Sequence, residues 1–116
     1  MKVLIIDDSE PMRRMIRRFI SDQVDEFVEC EDGSEALAAY RRHRPDLVLM
    51  DIRMKDVDGL EATRELRRSF PEARVVVVSQ WDGPDVREKV RGAGAYRYIH
   101  KSDLLPLREL LASAGS

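Results

Sequence analysis

A chain of 116 residues that is 43% apolar and 36% charged holds enough material for one domain with one buried core, and too much hydrophobe for a disordered chain. Its longest apolar runs, residues 3–6 and 75–78, are far too short to cross a bilayer or to act as a secretory signal. Twenty cations against twenty-two acids leave a net charge of -2, which argues against nucleic-acid contact by the domain, and the lone Cys30 suits a reducing cytoplasm.

Lys2–Ile6 is a lysine followed by four branched aliphatics, the pattern of a strand buried on both faces. Asp7, Asp8 and Ser9 end it, and Asp8 or Ser9 can cap a helix with Glu10 and Pro11 in its first turn. Met12, Met15, Ile16, Phe19 and Ile20 fall on one stripe of that helix, with Arg13, Arg14, Arg17 and Arg18 expected on the solvated side. A second strand is weakly written over 27–30, because glutamates interrupt it, and Cys30 reads as a small strand hydrophobe. Asp32-Gly33-Ser34 opens a helix through Ala36, Leu37, Ala39 and Tyr40 that Pro45 stops.

Leu47–Met50 is the third apolar run and leads into Asp51. After a loop with Asp56, Asp58 and Gly59, a helix carries Leu60, Thr63, Leu66 and Phe70 inward until Pro71. Val75 to Val78 is the fourth run and ends on Ser79. Pro84 opens the next helix, with Val86 and Val90 inward and Gly92 as its expected left-handed cap. A fifth strand is expected over 96–99, before His100 and Lys101, with His100 at the surface. Asp103 can cap a last helix bearing Leu104, Leu107, Leu110 and Leu111, and residues 112–116 read as a frayed end or the stub of a linker.

Strand and helix thus alternate five times, which predicts an α/β fold, a doubly wound parallel sheet of five strands in a single domain over residues 1–116. Ligands of such sheets bind beyond the carboxyl ends of the strands. There the sequence places Asp7 and Asp8, Asp51, Ser79 and Lys101, so these five should converge on one crevice. Each close carboxylate pair would cost on the order of 3–4 kcal/mol, so either one carboxyl is protonated or a cation neutralises the group. An all-oxygen donor set in an open site suits Mg²⁺ or Mn²⁺. A metal, an ammonium and a hydroxyl around one carboxylate would cradle a phosphoryl group on it.

The stretches V-L-I-I-D-D-S, D-G-S-E-A-L, P-D-L-V-L-M-D-I-R-M, D-G-L-E-A-T, V-V-V-V-S and G-A-x-x-Y-I-H-K carry a resemblance that runs over nearly the whole chain. With intervals of 43, 28 and 22 residues from Asp8 to Asp51, Ser79 and Lys101, the sequence resembles the receiver domains of two-component response regulators. The resemblance implies a flavodoxin-like (βα)5 fold and a phosphorylation-dependent signalling switch rather than an enzyme, one that catalyses only its own phosphorylation and dephosphorylation. It implies Asp51 as phosphoacceptor, taking its phosphoryl group from a sensor histidine kinase or phosphotransfer protein. Asp8 and Asp51 would ligate Mg²⁺ with the backbone carbonyl of Arg53, and Asp7 would act through water. Ser79 and Lys101 would meet the phosphate, Tyr98 would turn inward with Ser79, and homodimers of the phosphorylated form are implied as well.

Arg53 and Trp81 are expected to flank the phosphate and slow its hydrolysis. Lys55 and Ser102 stand where the family often has proline, and the Lys101-Ser102-Asp103-Leu104 stretch looks most like receivers that precede a helix-turn-helix DNA-binding domain. A flavodoxin would share the architecture, but Asp7-Asp8-Ser9-Glu10 would repel a flavin phosphate. An aspartate-nucleophile phosphatase would carry an acid where Arg53 stands.

Overall fold

Every apolar run read from the sequence is a strand in the computed structural model, which describes residues 1–114. β1 (Lys2–Ile6), β2 (Glu26–Cys30), β3 (Leu47–Met50), β4 (Val75–Ser79) and β5 (Arg97–His100) form one sheet in the order β2-β1-β3-β4-β5. All four pairings are parallel. Between and after them run α1 (Glu10–Ile20), α2 (Ala36–His43), α3 (Gly59–Ser69), α4 (Pro84–Gly92) and α5 (Leu105–Ala114). The order reverses between β1 and β3, so the crevice beyond their carboxyl ends is the switch point of the sheet. Among the described residues, no helix is long and apolar enough to cross a membrane.

The inner strands β1, β3 and β4 are apolar nearly throughout because both of their faces are covered, whereas the edge strands β2 and β5 carry Glu26, Glu29 and Arg97. Val3, Ile5, Leu47, Leu49, Val76, Val78 and Ile99 face α1 and α5. Their neighbours Leu4, Ile6, Val48, Met50 and Val75 face α2 and α3, and Val77 meets Val90 of α4. Leu66 and Leu107, fully buried on opposite sides, contribute about 2 kcal/mol each by leaving water.

Local signals set the helix ends. The Ser9 hydroxyl accepts the Met12 N–H at 3.3 Å, Pro11 lies in the first turn of α1, and Asp58 caps α3 through the Glu61 N–H at 2.9 Å. Asp103 accepts the Leu105 N–H at 3.1 Å, and Pro106 sits in the first turn of α5 without breaking it. The last turns carry cations where the helix dipole favours them: Arg17 and Arg18, Arg41 and Arg42, Arg67 and Arg68, Lys89 and Arg91.

The structure departs from the sequence reading in four places. α1 is rotated, so that Arg13 is 7% exposed while Met15 and Phe19 are 46% and 37% exposed. The left-handed residue after α4 is Gly94, at φ 94°, and Gly92 is the last residue of the helix. β5 starts one residue late, since Tyr96 only leads in, donating its N–H to the Val75 carbonyl at 2.7 Å. Residues 112–114 continue α5, and the remainder of the expected frayed end, residues 115–116, lies outside the described residues.

Candidate functional site

The three aspartates stand where buried strands stop. Asp7 and Asp51 directly follow β1 and β3, held by ladder bonds from Asp7 N–H to the Cys30 carbonyl (3.1 Å) and Asp51 N–H to the Ile6 carbonyl (2.9 Å). Lys101 N–H donates to the Ser79 carbonyl at 2.9 Å, which fixes the ends of β4 and β5 to each other. Asp7, Asp8 and Asp51 each bring a carboxylate oxygen to within 4.8 Å of the others. Asp7 is 2% exposed and Asp51 8%, whereas Asp8 lies open to solvent.

The Lys101 ammonium bridges the two buried acids, 3.1 Å from Asp7 Oδ2 and 3.4 Å from Asp51 Oδ1. Asp7 Oδ1 accepts the Ser9 N–H and Asp51 Oδ1 the Ile52 N–H, both at 2.9 Å. Among the described residues, Asp51 Oδ2 and the Asp8 carboxylate accept no hydrogen bond. The site thus presents unpartnered carboxylate oxygens beside a fixed ammonium. Burial pushes the Asp51 carboxyl up to about 6, and the Asp7 charge adds to this; Lys101 and the Ile52 N–H pull the other way. One cation is therefore not enough for three acids, and an all-oxygen set fits a hard divalent ion such as Mg²⁺.

Ser79 is buried, and its hydroxyl oxygen accepts the Trp81 N–H at 3.0 Å, leaving its hydrogen to donate elsewhere. Asp8, Asp51, Arg53, Ser79, Trp81 and Lys101 line one crevice of about 310 Å³. Over it the Arg53 guanidinium lies 3.5 Å from the centre of the Trp81 ring. Tyr98 is half-buried beside Val86 and Val90, and its hydroxyl donates to the Trp81 carbonyl. A larger hollow of about 550 Å³, among Tyr40, Asp46, Glu72, Arg74 and Tyr96, lies beneath the amino ends of the strands. Its polar groups are engaged singly, Glu72 with Arg44 at 3.4 Å, Asp46 with the Lys2 N–H at 2.7 Å and Arg74 over the Tyr96 ring, so it lacks the convergent acids of the crevice.

Four residues that support the site escaped the sequence reading. Arg13 reaches inward: Nη1 donates to the Asp7 carbonyl at 2.5 Å, and Nε to Glu29 at 2.9 Å. Arg17 donates to the same Glu29 oxygen at 2.6 Å. The only signal was the pair of glutamates in β2. Arg13→Met should cost about 2–3 kcal/mol in denaturant unfolding, because it strands the Asp7 carbonyl and leaves Glu29 with less charge compensation. A loss below about 0.5 kcal/mol would show these bonds to be dispensable.

Asp32 caps the short 3-10 turn Gly33–Glu35, and also accepts N–H bonds from Asp56 (2.9 Å) and Val57 (3.2 Å) in the loop that follows the phosphoacceptor candidate. Burial alone would raise its carboxyl, but the Asp56, Ser34 and Val57 donors overcome this and hold it at about 2. A carboxyl lowered on folding stabilises the protein above the unfolded value and loses that contribution as pH falls toward 2. Asp32→Ala should therefore cost about 1–2 kcal/mol near neutral pH and almost nothing in strong acid, as read by urea midpoints across pH. Gly59 and His100 are the other two. Cys30 is buried, its thiol pushed up to about 11 by that burial, so it stays a protonated hydrophobe at neutral pH.

The model of the response regulator receiver domain matches residues 3–112. The chemotaxis protein CheY of Halobacterium salinarum is 37% identical over 100 residues, covering 86% of this chain and 83% of that protein. The response regulator GacA of Pseudomonas aeruginosa is 39% identical over 104 residues, and this chain spans 48% of its length. Among solved structures, the CheX-CheY-BeF3-Mg+2 complex of Borrelia burgdorferi superposes with a TM-score of 0.86 at 26% identity, over 99% of this chain and 89% of that one. The doubly wound sheet, the strand-end acids with their lysine, and the match over residues 3–112 agree on one conclusion: the chain belongs to the response regulator receiver domains of two-component systems.

Proposed function

We propose that the domain is a phosphorylation-controlled switch whose phosphoacceptor is Asp51. The observation that carries this reading is the Lys101 ammonium set between Asp7 and Asp51 while, among the described residues, Asp51 Oδ2 accepts no hydrogen bond. The donor is the phosphohistidine of a sensor kinase or phosphotransfer protein. The P–N bond of the donor breaks as a P–O bond to Asp51 forms, and the donor imidazole leaves with the electron pair. Asp8, Asp51 and the Arg53 carbonyl would hold Mg²⁺ or Mn²⁺, with Asp7 acting through water; when bound, that ion supplies positive charge to the phosphoryl oxygens.

Lys101 pairs with the new phosphate and the free hydrogen of Ser79 is available to it. Tyr98 couples this event to α4, β5 and α5, whose surface then changes its affinity for a partner, a second phosphorylated copy included. The same site later hydrolyses its own acyl phosphate, in the cytoplasm, and the output is that of a transcriptional regulator to which this receiver belongs or of a stand-alone receiver.

Intact mass after incubation with a small-molecule phosphodonor and Mg²⁺ tests the reading. One added phosphoryl mass, absent with EDTA and in Asp51→Asn, is expected; the same gain in Asp51→Asn would refute the assignment. Trp81 and Arg53 are read as a stacked cover that keeps water from the acyl phosphate. Trp81→Ala should raise the dephosphorylation rate about threefold, since an exposed cation–π contact is worth under about 1 kcal/mol. An unchanged rate would remove Trp81 from that role.

A further inference from the structure

The loop between β4 and α4 forms one wall of the crevice, contributing Gln80 and Trp81 directly after Ser79. Two side chains of β5 hold its backbone from outside. Tyr98 and His100, two residues apart and so on one face of the strand, serve consecutive carbonyls: the Tyr98 hydroxyl donates to Trp81, and His100 Nε2 lies 2.9 Å from the Gln80 oxygen. On the other side of the ring, Nδ1 is 3.1 Å from the Ser102 N–H and 2.7 Å from its hydroxyl. A backbone N–H can only donate and a carbonyl can only accept. The imidazole is therefore neutral with its proton on Nε2, and it ties the β4–α4 loop to the β5–α5 turn.

We propose that His100 is a positioning residue for the phosphoryl site: its imidazole holds the Ser79–Trp81 wall in place through the Gln80 carbonyl, with Ser102 fixing the other side of the ring. The proposal rests on the reading of the crevice as the phosphorylation site. On β5 Tyr98 keeps its own hold on Trp81, so loss of the His100 bond frees the Gln80 peptide next to Ser79 without releasing the whole loop. A loosened wall admits water to the acyl phosphate, so hydrolysis speeds up.

Two measurements decide it. Trp81 is the single tryptophan, so its emission reports the loop. His100→Ala should shift that emission, whereas His100→Gln, whose amide places a donor where Nε2 stands, and His43→Gln should leave it at the wild-type position. No shift in His100→Ala, or an equal shift in His100→Gln, overturns the proposal.

In the phosphorylated protein, His100→Ala should hydrolyse about fivefold faster than wild type, the factor of one lost hydrogen bond. His100→Gln should match wild type. Equal rates for all three overturn the proposal. If no variant takes up phosphate, the phosphorylation reading fails instead, and the emission series still decides whether His100 holds the loop.

Discussion

Gly59→Ala is expected to destabilise the domain by about 3 kcal/mol and to reduce phosphoryl uptake, because the glycine backbone lies directly against the phosphoacceptor candidate. A Cβ there would stand 1.8 Å from the Asp51 carbonyl oxygen and 2.9 Å from Met50 Cγ. Neither side can yield. Asp51 directly follows β3, which is paired on both edges with β1 and β4. Gly59 in turn donates its N–H to the Ile52 carbonyl at 2.7 Å and accepts the Thr63 hydroxyl on its own carbonyl at 2.6 Å. The start of α3 would have to move outward as a unit, dragging the loop that carries Arg53. Gly92→Ala is the natural control: among the described residues nothing lies within 4 Å of its would-be Cβ, and in the last turn of α4 alanine should stabilise by about 0.5 kcal/mol or more. Urea denaturation of both variants checks this, and a Gly59→Ala midpoint equal to wild type would mean that the helix start gives way without strain.

Asp51→Asn should abolish phosphoryl uptake and yet make the metal-free protein more stable, by about 1–3 kcal/mol near neutral pH. The Asp51 carboxyl is raised to about 6, first by burial and then by Asp7, so folding disfavours its charged form. An acid raised on folding binds more protons in the native than in the unfolded state, so stability falls as pH rises from the unfolded value near 3.8 through 6. Asparagine removes that loss while keeping an oxygen for the Ile52 N–H, and Lys101 retains Asp7 as partner at 3.1 Å. In EDTA the two proteins should therefore converge in stability below about pH 4 and separate above about pH 6. A wild type more stable than Asp51→Asn at neutral pH, without metal, would mean that the Lys101 contact outweighs burial. Added Mg²⁺ should narrow the gap by stabilising the wild type alone.

Strand content was legible because a strand covered on both faces has to be apolar at every position, as in β1, β3 and β4. The site was legible for a related reason: only residues at strand ends can converge, so Asp8, Asp51, Ser79 and Lys101 could be placed together without coordinates. The failures arise where residue type does not distinguish environments. Four arginines on α1 look alike in sequence, and only the approach of Glu29 on β2 and of the Asp7 carbonyl selects Arg13 for burial. Asp32 reads as a helix cap, and that is half of its role; the other half needs the neighbouring loop to arrive across the end of the sheet. Gly59 matters because α3 starts against Asp51, and His100 because a loop carbonyl meets its ring. Arg13, Asp32 and His100 are meetings of polar groups between elements and Gly59 is a close approach of backbone, and none of these leaves a periodic trace.

The cationic last turns have one more consequence, a separation of charge across the whole molecule. The helices run back against the strands, so Arg18, Arg42, Arg68 and Arg91 gather at the pole opposite the acids. Asp7, Asp8 and Asp51 crowd the other pole, joined by Asp56, Asp58, Asp82, Asp85 and Asp103 from the loops and helix starts above them. The domain measures 32 × 31 × 27 Å, more than three Debye lengths at about 0.15 M salt. A net charge of -2 therefore describes neither end, and an approaching molecule meets one pole at a time. Cations and basic surfaces are steered to the end that holds the acidic crevice, acidic surfaces to the far end, and the encounter is sorted by orientation before any contact forms.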